Sequence, residues 1–146
     1  MAKEIEKKFL VKYLPNLEPV RVSQIEQGYL STGVVHEVRI SNRLHLTVKS
    51  GFGLTREENI YDISQEVYDA LLPLTLGKRI AKERRVYDIG SGLFAELDIY
   101  KGKNIWIKTV EVEFESEEDA HKFIAPDWFG ADVSDKLEYK NSILAC

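Results

Sequence analysis

The 146 residues include one cysteine, and it is the last of them, Cys146. A disulfide framework is therefore excluded, and a cytoplasmic setting is expected, because structural disulfides belong to oxidising compartments. No apolar run approaches the roughly 20 residues that a spanning helix needs, so no membrane partner is expected. The N-terminus reads straight into a strand pattern, with no signal-peptide core. The three histidines, His36, His45 and His121, are dispersed and lack zinc spacing. No Walker-type loop and no Gly-x-Ser-x-Gly element is present. The net charge of −4 argues against a nucleic-acid coat. Repeats, low-complexity tracts and linkers are also missing. At 44% hydrophobic and 30% charged, the chain reads as one globular domain over residues 1–146.

What the chain does have is short alternating segments separated by turn residues. Strands are expected at Lys3–Val11, Gln24–Ser31, Val35–Ser41, Leu44–Lys49, Glu57–Ile63, Arg79–Tyr87, Leu93–Tyr100 and Trp106–Phe114. Gly51 and Gly53, Gly90-Ser91-Gly92 and Gly102-Lys103-Asn104 supply turns and favour antiparallel hairpins. A helix is expected from Ser64, its N-cap, to Leu72, with Val67 and Leu71 on its apolar face and Pro73 ending it. Ser116-Glu-Glu-Asp119 resembles a capping box, followed by an apolar face of Ala120, Phe123 and Ile124. A third helical piece is expected within Ser134–Ala145. Pro126-Asp-Trp-Phe-Gly130 reads as a packed loop, with Trp106, Trp128 and Phe129 as core or packing residues.

Side chains alternate across a strand, so the charges can be sorted by face. Glu4, Glu6 and Lys8 share one face of the first strand, against Ile5, Phe9 and Val11. Further along, Glu37 with Arg39, Thr47 with Lys49, Lys82 with Arg84, Glu96 with Asp98 and Glu111 with Glu113 each share a face. An open sheet with one wet face produces the same alternation. Two details favour a closed structure: the charges are of both signs, with carboxylates in i, i+2 pairs, and the helices are too few to cover a flat eight-stranded sheet. The expected fold is mainly β (α+β), a closed eight-stranded antiparallel β-barrel, or tunnel, with a charged interior and a few helices packed outside.

The motifs Glu4-Ile-Glu-Lys-Lys-Phe-Leu-Val11, Glu26-Gln-Gly-Tyr-Leu30, Leu46-Thr-Val-Lys-Ser50, Gly53-Leu-Thr-Arg-Glu-Glu58, Lys82-Glu-Arg84, Phe94-Ala-Glu-Leu-Asp98, Val110-Glu-Val-Glu-Phe114, Trp128-Phe-Gly130 and Tyr139-Lys-Asn141 occur in this order. Together they resemble the CYTH superfamily, the triphosphate tunnel metalloenzymes, and in particular its short bacterial inorganic triphosphatases. The resemblance implies a Mg²⁺- or Mn²⁺-dependent hydrolase that removes the terminal phosphate of tripolyphosphate. It also implies metal binding by Glu4, Glu6, Asp98, Glu111 and Glu113. Phosphate is held by Lys8, Arg39, Lys49, Lys82 and Arg84, and the catalytic roles fall to Lys8, Lys82 and Glu111. Such assignments suit phosphoryl transfer, which depends on charge neutralisation and positioning, and carboxylates are hard oxygen ligands for those cations. Glu58 is a candidate brace for the basic residues. Glu96 and Asp98 are candidates either for metal or for pairing with the clamp.

Three positions depart from the family pattern: Ser41 and Glu138 stand where relatives carry arginine, and Ile60 where relatives carry glutamate. They leave alternatives open. One is action on a nucleoside or thiamine triphosphate, including cyclisation of ATP. Another is a polyphosphate- or nucleotide-binding module without turnover. In every case the expected partner is a small anionic substrate, with the protein a monomer or homodimer.

Overall fold

β1 (Lys3–Val11) is the strand on which the sheet turns back on itself. In the computed structural model, which describes residues 2–33, 36–51 and 53–146, β1 pairs antiparallel with two strands from opposite ends of the sheet order. Its first residues face β5 (Thr55–Asp62), with Glu4 opposite Arg56, and its later ones face β8 (Lys108–Glu113), with Lys8 opposite Glu111. Between them run β2 (Arg21–Thr32), β3 (His36–Ser41), β4 (His45–Ser50), β6 (Arg79–Gly90) and β7 (Leu93–Tyr100), in the order β5-β4-β3-β2-β6-β7-β8-β1. The pairings thus run round a ring of eight antiparallel strands, with β9 (Phe129–Asp132) added along β1.

β9 corrects the expectation of a loop over Pro126–Gly130. Gly130 lies so close to β1 that a Cβ there would sit 3.1 Å from the Leu10 carbonyl oxygen, and glycine is what lets the two backbones meet. Boundaries differ elsewhere: β2 begins at Arg21 and β8 at Lys108, and Val35, expected to open the third strand, lies outside the described residues.

The apolar faces of β1, β6, β7 and β8 point to the outside of the ring. There Phe9, Tyr87, Leu97, Val110 and Val112 form a core with Phe114, Trp128 and Phe129. α2 (Glu117–Lys122) covers it. The Ser116 hydroxyl accepts the Asp119 N–H at 3.1 Å, as the capping motif requires, which lays Ala120 and Phe123 on the core. Phe123 meets Phe114 edge-on at 5.2 Å between ring centres. α1 (Gln65–Leu71) begins at Ser64 as expected, but it buries Tyr68 and leaves Val67 exposed. Ile124 and Trp106, expected to be packed, are 88% and 91% exposed, because the chain has left the core at both points.

Toward one end of the ring a smaller apolar group is made by Tyr29, Ile80 and Tyr100 with Leu144 and Ala145. The C-terminal segment, with α3 (Asn141–Leu144), packs against that end. No helix among the described residues is long and apolar enough to cross a membrane. The Leu97 side chain is fully buried in the larger core, so Leu97→Ala should cost about 2–5 kcal/mol, measured as a lower urea midpoint.

Candidate active site

Strand register decides which inward charges meet. Across β1 and β8, Glu6 stands directly opposite Glu113 and Lys8 opposite Glu111; across β7 and β8, Glu96 faces Glu111. Like charges directly opposite destabilise a sheet, so these carboxylates need a proton or a cation. Burial, then Glu111 and Glu4, raise the Glu6 carboxyl well above its ordinary value. Burial, with Glu4 and Glu96, raises Glu113 in the same direction. Glu111 goes the other way: burial opposes ionisation, but Lys8, Arg84 and Lys82 outweigh it and hold the group well below the usual range. Glu4 is neutralised by Lys49, whose ammonium donates to both of its oxygens at 3.1 and 3.0 Å.

The cations come from the other side of the register. Arg84, on β6, grips Asp98 of β7 with two parallel hydrogen bonds of 2.7 and 2.8 Å and reaches Glu96 at 3.0 Å. Lys82 pairs with the same Asp98 at 2.7 Å, and its ammonium stands over the Tyr100 ring, 5.5 Å from the centre. Burial lowers Lys82 to about 8, and Asp98 keeps it from falling further. Lys49 also reaches Glu58 at 3.5 Å. Arg39, on β3, is packed beside the Tyr29 hydroxyl.

These side chains line a cavity of about 320 Å³. It is lined by every residue proposed from the sequence for metal or phosphate except Asp98, together with Ser41 and Ile60. Asp98 is enclosed behind Lys82 and Arg84 and pairs with both. Glu138, the third departure, is exposed and not among the lining residues. Among the described residues, several buried polar atoms have no hydrogen-bond partner, including Glu111 Oε1, Gln27 Oε1 and Arg39 Nε. Buried polar atoms are normally paired, so these point to a ligand that carries both acceptors and a cation. The carboxylates suit a hard divalent cation in kind, although among the described residues no three are gathered into a ready cage.

Sequence reasoning gave Glu37, Arg56 and Lys140 no certain role, and the structure joins them. Glu37 is buried and receives Arg56 at 3.3 Å, Lys140 at 2.9 Å and the Ser142 hydroxyl at 3.3 Å. Burial pushes this carboxyl up, but Lys140 and Arg56 hold it below its ordinary value. Lys8 donates to the Tyr139 carbonyl at 2.9 Å, and Tyr100 donates to Asn141 at 2.5 Å. The C-terminal segment is thereby tied to three walls. The one signal in the sequence was the Tyr139-Lys-Asn141 motif, which does not name its partners.

Two inorganic triphosphatases match nearly the whole chain. That of Nitrosomonas europaea is 38% identical, covering 97% of this chain and 96% of its own. That of Acetivibrio thermocellus is 30% identical, covering 99% and 94%. The crystal structure of an inorganic triphosphatase superposes with a TM-score of 0.71 at 34% identity, covering 99% of this chain and 95% of its own. A putative adenylyl cyclase from Hippeastrum, 16% identical over 81% of this chain and 82% of its own, shares the fold with a TM-score of 0.59. No family model matches the sequence. The chain belongs to the CYTH superfamily and resembles its short bacterial triphosphatases.

Asp98 is the shared counter-ion of Lys82 and Arg84, so Asp98→Asn should lower the Lys82 pKa below about 8, read by NMR titration of its Nζ. The same substitution should destabilise the protein by about 3–5 kcal/mol, read by denaturant unfolding, because it leaves two buried cations short of a carboxylate.

Proposed function

We propose that this protein is a metal-dependent triphosphatase, cleaving the terminal phosphate of inorganic tripolyphosphate inside the strand ring, which acts as a closed tunnel. The observation that carries the reading is the two-signed cavity: acids face one another across β7, β8 and β1, and cations project from β1, β3, β4 and β6. A triphosphate with a divalent cation complements both sets at once. The names of the relatives support the reaction.

In this reading Glu4, Glu6 and Glu113 would hold Mg²⁺ or Mn²⁺, which would supply Lewis-acid polarisation of phosphate oxygens when bound, and Glu111 serves a second cation or the attacking water. The opposed Glu6 and Glu113 are the pair most in need of a cation, and Glu6, on which burial favours a proton, would have to give that proton up to serve as a ligand. Arg39, Lys49, Lys82 and Arg84 receive the phosphate oxygens, and Lys8 holds the scissile end beside Glu111, 3.6 Å away. Water attacks the terminal phosphorus, the bond to the bridging oxygen breaks, and diphosphate and phosphate leave. Glu111, kept ionised by its cationic neighbours, is placed to take the proton of that water. Lys82 neutralises charge building on the scissile phosphate, and it does so while protonated.

Phosphate release from tripolyphosphate should require Mg²⁺ or Mn²⁺. It should fall at least about tenfold in Glu6→Ala and on the order of 100-fold in Lys82→Ala. Equal rates in the variants, or no release under either metal, would sink the reading. The rate should also decline as pH rises through about 8, where Lys82 loses its proton, and that limb should move to lower pH in Asp98→Asn.

A further inference from the structure

The two ends of the ring differ. Antiparallel register puts Lys8, Tyr29, Glu37 and Tyr100 toward the end against which the C-terminal segment packs. The β3–β4 turn lies at the other. That turn, Ser41-Asn42-Arg43-Leu44, is closed by the Leu44 N–H donating to the Ser41 carbonyl at 2.9 Å. The Arg43 N–H donates to the Ser41 hydroxyl at 3.1 Å. The Asn42 side chain then fixes the turn to β2: it accepts the Glu26 N–H at 3.0 Å and donates to the Gln24 carbonyl at 3.1 Å. The next inward position of β2 toward this end is Ser23, which lies opposite Arg84 on β6, and β2 begins at Arg21. The pinned turn therefore brings Arg43 into the field of Arg84 and Arg21.

Arg43 lines the cavity, yet its guanidinium makes no ion pair or hydrogen bond among the described residues. Partial burial, then Arg84 and Arg21, lower its affinity for its proton, while Glu96 and Asp98 act in the opposite direction. Those two acids are already held by Arg84, so Arg43 is the cation left over. Beside it, Ser41 is buried in the cavity wall, a short side chain at a position where the family pattern implies arginine. A guanidinium fork near a second arginine, with no carboxylate of its own, suits a phosphate group.

We infer that Arg43 binds the outer phosphate of a linear inorganic tri- or longer polyphosphate at this end of the ring, in place of the arginine that position 41 lacks. The inference rests on the proposed function, and it makes Arg43 a specificity residue that acts on binding and not on the bond broken. A diphosphate, one phosphate shorter, does not reach it.

The test is steady-state kinetics at saturating metal for the wild type, Arg43→Ala, Arg43→Lys and the swap Ser41→Arg with Arg43→Ala. Removing a charge-assisted hydrogen bond from an open mouth should raise KM for tripolyphosphate about tenfold in Arg43→Ala, with kcat within about twofold. Arg43→Lys should fall between the two, and the swap should restore KM. Diphosphate binding, followed by calorimetry, should be unchanged in Arg43→Ala. Arg43 is exposed, and an unchanged thermal midpoint shows that the fold is kept. An unaltered KM, or a loss confined to kcat, overturns the inference while the enzyme reading stands. A wild type that does not turn over tripolyphosphate overturns the enzyme reading instead. Calorimetric binding of tripolyphosphate then carries the same comparison, and equal affinity of wild type and Arg43→Ala would refute the role of Arg43.

Discussion

Asp98, Lys82 and Arg84 form the contact on which the interior depends. Three charges enclosed between β6 and β7 would be ruinous singly, since each gives up its hydration. Together they satisfy much of one another: Asp98 spends both oxygens on the Arg84 fork and one of them also on Lys82. The set carries one excess positive charge and holds it in a fixed place, between the acids of β8 and the cavity. Glu111 remains ionised in a buried position because this charge, with Lys8, is there. The carboxylate wall and the cation clamp are therefore one electrostatic object. Removing Asp98 disturbs both sides of it.

The apolar packing is arranged round this object. In most small β proteins the inward faces meet in a dry core. Here the larger core lies outside the ring, between the backs of β1, β6, β7 and β8 and the cover made by α2, Trp128 and Phe129. The short α2 is enough because Trp128 and Phe129 share the cover with it. Trp128 and Phe129 stack edge-on at 4.6 Å, and Phe129 reaches Phe9 at 5.1 Å. Aromatic side chains cover much area per residue, so a few of them replace a longer helix.

Period two made most of this legible. Once Glu4, Glu6 and Lys8 shared a face, five later strands repeated the pattern, and the same alternation put Phe9, Val110 and Val112 on the opposite side. The caps at Ser64 and Ser116 were legible for the same reason: their chemistry is local. What escaped depended on distant partners. β9 brings Gly130 close against the Leu10 backbone, and nothing within Pro126–Gly130 announces that neighbour. Trp106 looked like core by its type, but the turn that holds it faces water. The sequence favoured Asp98 as a metal ligand and did not show its ion pairs; register supplies them, since Asp98 lies directly opposite Arg84. Glu37, Arg56 and Lys140 come from three separate stretches, and no spacing relates them.

The charge density of the interior itself argues for a ligand. Eight strands enclose a space that ordinary side chains could fill. Replacing buried ion pairs with apolar residues of similar size is often neutral or favourable to stability. A fold selected for stability alone would have little reason to set Glu6 against Glu113 and Glu96 against Glu111. Nor would it leave Glu111 Oε1 and Arg39 Nε buried without a hydrogen bond. These costs are borne in the folded state, and the proposed substrate with its cation would offset them. The outer core and the enclosed Asp98 group supply the stability that makes the exposed imbalance tolerable. The division is spatial: Asp98 lies behind the wall, while Lys82 and Arg84, which it holds, line the cavity together with the opposed acids.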